Sequence, residues 1–180
     1  MTAWSEDILH YWFEVLGSKR WFNSNPDIDA EISERFAPLW AGLRHEPAMF
    51  FVSGPKEALA AIILFDQFPR NIYRHEPNAF ATDALALNIA KLALEAGFDN
   101  SLTVQQKHFL YMPYMHSESL EDQDMSVELF DRLGKTEALQ FAIMHRNMIL
   151  RFGRFPHRNE ILGRETHPDE IEAIAEGEDW

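Results

Sequence analysis

Pro55-Lys56-Glu57-Ala58-Leu59-Ala60-Ala61-Ile62-Ile63-Leu64-Phe65-Asp66-Gln67-Phe68-Pro69-Arg70-Asn71 is the stretch on which the fold turns. Gly54-Pro55 opens a helix, because proline is well tolerated in a first turn. From Ala58 to Phe65 the residues are apolar on every side, and a helix of that kind belongs at the centre of a fold. Pro69 has no amide hydrogen and disfavours helical geometry in the residue before it, so the helix is expected to stop near Phe68. A second stretch, 87 residues on, ends in the same way: Phe152-Gly153-Arg154-Phe155-Pro156-His157-Arg158-Asn159. Both read F-x-x-F-P before an Arg-Asn pair, and each is trailed by a further arginine, Arg74 or Arg164. The echo predicts two similar helix ends that set guanidinium and amide groups beside a Phe-Pro wedge and face one another across a shared cleft.

Working outward, nearly every other segment shows helical periodicity and none alternates well enough for a strand. Ser5 is the expected N-cap of a helix running to Leu16, with Gly17 as its terminator. A second helix is expected from Ile28 to Leu43, with Pro38 kinking or splitting it. Later helices are predicted from about Ala79 to Ala96, from Thr103 to Met112 before Pro113, from Ser119 to Leu133, from Thr136 to Phe152 and from Pro168 to Ala175. An acidic tail, Glu176 to Trp180, follows. Short Gly, Pro and Ser turns imply antiparallel helix pairs. The expected fold is therefore all-α, one domain over residues 1–180, stacked as an αα-superhelix or an irregular antiparallel bundle. The ~34-residue period of a true tetratricopeptide array is missing.

Composition limits function. A chain of 180 residues with 46% hydrophobic residues can bury a sizeable core. It has no cysteine, which excludes disulfides, thiolate zinc sites and cysteine nucleophiles and leaves the cytoplasm as the expected compartment. The N-terminus lacks a basic leader, and no apolar run approaches the ~20 residues of a membrane helix, so neither export nor a membrane partner is expected. A net charge of −13 repels phosphate backbones, so nucleic acid is not an expected partner. Against this acidic background Arg146, Arg151, Arg154, Arg158 and Arg164 cluster with His145 and His157. Such a patch either focuses a small anion's approach or neutralises nearby Asp and Glu.

Several residues carry candidate chemistry. Asp66 and Arg70, four apart, share one helical face and should pair if buried, either to anchor a helix end or to hold Arg70 for an anionic ligand. His145 falls on a stripe with Phe141, Met148 and Phe152 and is the first choice for a general base, since neighbouring positive charge keeps imidazole neutral. His116-Ser117-Glu118 lies in a loop where polar groups can face a pocket, although Ser117 and Glu118 equally suit capping of the following helix. No serine-hydrolase elbow, paired metal-ligand spacing, glycine-rich phosphate loop or P-loop occurs, so no metal or cofactor is expected.

The run Phe65-Asp66-Gln67-Phe68-Pro69-Arg70-Asn71-Ile72, then Pro77, Ala79-Phe80 and Asp83, then Tyr111-Met112-Pro113 with His116-Ser117-Glu118 and Gln123, and finally Phe152 to Asn159 with Leu162-Gly163-Arg164, resembles the bacterial domain of unknown function 924 family. The resemblance spans almost the whole chain and implies an all-helical domain of the tetratricopeptide-like class. It brings no activity with it. Two functions follow from the residues themselves. One is a binding module whose cleft, lined by Arg70, Asn71, Arg74, Ser117, Glu118, Arg154, His157, Arg158 and Asn159, holds a small anionic molecule or an acidic peptide end. The other is an enzyme acting on an anionic substrate, a hydrolase or transferase, with His145 or His116 as acid or base near Asp66. The sequence does not fix the oligomeric state.

Overall fold

A computed structural model describes residues 2–23 and 25–175; the acidic tail read from the sequence lies outside the described residues. The architecture is all-α, with no strand among the described residues. The principal helices are α1 (Ala3–His10), α2 (Pro26–Leu43), α3 (Pro55–Ile62), α4 (Phe68–Ile72), α5 (Asp83–Glu95), α6 (Val104–Met115), α7 (Leu120–Leu133), α8 (Thr136–Phe152) and α9 (Ile171–Ala175). None among the described residues is long and apolar enough to cross a membrane.

The greasy helix is central, as its sequence requires. Ala58 to Phe65 and Phe68 are all fully buried, with α1, α5 and α6 packed around α3. An aromatic cluster seals one side, where Phe68 stacks on Phe36 at 4.6 Å and Trp12 meets Phe68 and Phe109 edge-on. The α6–α7–α8 succession packs neighbour on neighbour, joined by connections too short to carry the chain back for a parallel pairing. Gly153 ends α8 at φ 70°, a left-handed backbone that favours glycine, and so turns the chain into the second Phe-Pro corner.

The proline at the first corner does not stop its helix. Ile63–Gln67 widens into a π-helical turn and the chain continues through Pro69 as α4. The Phe65 carbonyl, which Pro69 cannot serve, accepts instead from the Thr82 hydroxyl at 2.7 Å, and the Asp66 carbonyl accepts from Arg70. A donor 17 residues away thus replaces the missing amide. Pro38 likewise sits inside an unbroken α2, on its exposed side, and α6 runs past Pro113 to Met115.

Several helix starts also move. Asn25, whose Oδ1 accepts from the Asp27 amide at 2.9 Å, opens α2 at Pro26. Ser5 lies within the first turn of α1, its hydroxyl donating to the Thr2 carbonyl, and a 3₁₀ turn at Pro77–Phe80 delays α5 until Asp83. Thr103 caps α6 as expected, in a reciprocal box with Gln106.

Candidate functional site

The two Phe-Pro corners meet at Asp83, the first residue of α5. Arg70 of the first corner holds this carboxylate with a two-pronged contact, Nη1 to Oδ1 and Nη2 to Oδ2 at 3.0 Å each. Arg158 of the second approaches the same group from the other side, but its Nη1 stops 3.5 Å from Oδ2, beyond the length of a good charge-assisted bond. Arg70 is therefore satisfied, while Arg158 is not. Arg158 is only 7% exposed, its Nε has no acceptor, and its guanidinium lies over the rings of Phe155 at 4.5 Å and Phe80 at 4.7 Å. Burial pulls its pKa down to about 10, Asp83 opposing, so it stays charged at neutrality.

Beside Arg158 opens a cavity of about 360 Å³, walled by Phe80, Pro113 and Leu162 and reached by His116, Ser117 and Glu118. On the other side of His116 lies a larger cleft of about 690 Å³, with Trp21, Phe22, Met112, Phe141 and His145 on its walls. His116 borders both. Its Nδ1 is 2.7 Å from Oδ1 of Asp66, a carboxylate with no solvent exposure. Burial alone would raise the Asp66 pKa, but the charges of His116 and Arg70 and hydrogen bonds from His116 and Gln67 outweigh it and hold the group ionised. An ionised carboxylate accepts only, so Nδ1–H donates to it and Nε2 points away.

The neighbouring imidazoles are neutral. Burial, aided by the charge of His116, pushes His145 down to about 3 and His108 to about 4. Burial and then Arg158 bring His157 to about 4. His145 Nδ1 is bonded to the Phe141 carbonyl at 2.8 Å. The stripe expected for His145 is shifted: its buried companions on α8 are Ala138, Ala142 and Ile149, whereas Phe141 is 45% exposed at the cleft.

Other candidates read from the sequence are engaged elsewhere. Asn71 and Arg74 both grip Asp29 on α2, at 2.8 Å, and line neither cavity. Arg154 forks onto Glu170, at 2.6 and 2.8 Å, and Asn159 donates to the same carboxylate at 3.0 Å. Glu118 does not cap α7; it accepts from Arg164 at 2.8 Å and from the Phe155 amide at 2.8 Å, lashing the second corner to the start of α7. Ser117 donates to Asp122 and accepts the Ser119 amide, a local cap. His157 lies against Phe155 and borders neither cavity. In the sequence Asp83 and Phe80 belong to the family motif and carry no sign of a shared junction. Their role at the junction depends on a tertiary meeting that no local signal carries.

An all-helical protein built around two Phe-Pro corners, with a charged junction between two cavities, is the class these features define. The family described as Bacterial protein of unknown function (DUF924) matches residues 8–178, and the chain belongs to it. A solved structure of a protein of unknown function, ATU0120 from Agrobacterium tumefaciens, is similar at 36% identity and TM-score 0.89, covering 96% of this chain and 97% of that one. No curated protein matches.

Proposed function

We propose that this protein binds a small anionic molecule in the 360 Å³ cavity, with Arg158 as its anchor. The observation that carries the reading is the state of Arg158: a buried, charged guanidinium whose Nε has no acceptor and whose Nη1 stops 3.5 Å from Asp83. Leaving buried donors unmade costs stability, and a ligand oxygen is the partner this arrangement lacks. Calorimetric titration of a panel of small anions tests it. A saturable heat is expected that weakens with added salt and disappears in a folded Arg158→Met variant. Unchanged binding in that variant, or no binding by any anion, contradicts the reading.

A specific observation also favours catalysis at the same place. His116, oriented by buried Asp66, borders the cavity that Arg158 enters. Its Nε2 is suited to exchange a proton with the reacting group, as acid or base, while Arg158 offsets developing negative charge, the pairing used in hydrolysis or group transfer. A turnover that survives Arg74→Ala but is lost in folded His116→Gln supports this second reading. Equal turnover in His116→Gln removes it.

A further inference from the structure

We infer that the ligand of the Arg158 cavity is a planar monocarboxylate with a short aliphatic body, rather than a phosphate. This rests on the anion-binding reading and narrows it. Three observations carry it. The first is shape: the guanidinium carbon lies 4.7 Å from the Phe80 ring centre and 4.5 Å from that of Phe155, so the π-surface of the group is in ring contact and recognition of an anion falls to its in-plane N–H groups. That edge matches the two coplanar oxygens of a carboxylate in a forked pair, and the matching geometry is what separates arginine from the point charge of lysine.

The second is charge. Arg70, Arg158 and Arg164 stand against Asp66, Asp83 and Glu118 around the junction, and Asp83 and Glu118 themselves line the cavity. The positive charges are matched one for one by carboxylates. A monoanion entering there adds one negative charge to that balance. A dianionic phosphate adds two, beside two resident carboxylates, and like charges at close range are strongly unfavourable. The third is the wall: Pro77, Ala84, Leu87, Pro113 and Leu162 present carbon rather than donors to the remainder of the ligand. A phosphate site would instead offer several N–H groups to its oxygens.

The test titrates sodium butanoate, butanamide and inorganic phosphate into the full chain by calorimetry, with Arg158→Lys and Arg158→Met beside the wild type and their folding checked by circular dichroism. Butanoate is expected to bind saturably, butanamide not at all, and phosphate at least about tenfold more weakly than butanoate. Arg158→Lys keeps the charge but loses the fork, and should weaken butanoate binding by about tenfold or more. Phosphate binding as tight as butanoate, or a lysine variant that binds like the wild type, overturns the carboxylate assignment while leaving the anion reading standing. Silence from both anions overturns both. Should either variant fail to fold, the comparison of butanoate with phosphate on the wild type still decides.

Discussion

The two Phe-Pro corners share a sequence pattern but spend their arginines differently. At the first, a π-helical turn and the Thr82 hydroxyl carry the helix through Pro69, so Arg70 stays on a helix and meets Asp83 squarely. At the second, Gly153 breaks the helix, and the chain drops through a 3₁₀ turn at Pro156–Arg158 that leaves Arg158 short of the same carboxylate. The neighbours Asn71 and Arg74 are committed to Asp29; Arg154 and Asn159 are committed to Glu170, and Arg164 to Glu118. One motif thus serves architecture at one corner and leaves a guanidinium Nε without an acceptor at the other. The backbone path, rather than residue type, makes that division.

The largest expected effect separates the two wedges by their phenylalanines. Phe68 and Phe155 are both fully buried, so Phe68→Ala and Phe155→Ala should each cost about 3–5 kcal/mol in denaturant unfolding. Only Phe155→Ala removes a ring beneath Arg158, so only it should also lower anion affinity. Equal losses of affinity from both would erase the distinction.

Next comes the lashing of the second corner. Arg164 serves Glu118, the Asn159 side chain and the Phe155 carbonyl together. Burial would raise the Glu118 pKa, but Arg164 and the Phe155 amide bring it below the ordinary carboxylate value. Arg164→Met is expected to cost about 2–3 kcal/mol, since it strands a half-buried carboxylate. At the first corner Arg74 is a third exposed, and Arg74→Ala should cost only about 1 kcal/mol or less and leave binding alone.

Acid should act through the imidazoles. His145, His108 and His157 titrate at about 3, 4 and 4 in the folded chain, against 6.5 when free. Between those values the unfolded chain binds protons that the folded chain refuses, so stability falls as pH drops from about 6.5 toward 4 and is fully present above that window. Each histidine contributes a slope of up to about 1.4 kcal/mol per pH unit. His108→Phe should flatten the Tm-against-pH curve in that window; an unchanged curve would show that His108 is already charged in the native state.

Much of the helical plan was legible, because a helix terminator is a local matter: the glycines at 17, 97, 134 and 153 all adopt φ near 70°. The prolines misled for the opposite reason. Whether Pro69 stops a helix depends on Thr82, and whether Pro38 does depends on which side of α2 faces solvent. The site divides in the same way. His116, Asp66 and Arg158 stood out by type and spacing, and the Arg70–Arg158 convergence follows from the repeated motif. Which arginine would be left over depends on Asp29, Glu118 and Glu170, carboxylates distant in sequence whose pairing only the tertiary fold reveals.

The most direct test of that division follows the arginine Nε–Hε signals by NMR while sodium butanoate is added. The signal of Arg158 should move to saturation while those of Arg70, Arg74, Arg154 and Arg164 hold still, because their acceptors are already in place. Movement at those four with Arg158 unmoved would show that the second corner is as fully spent on architecture as the first.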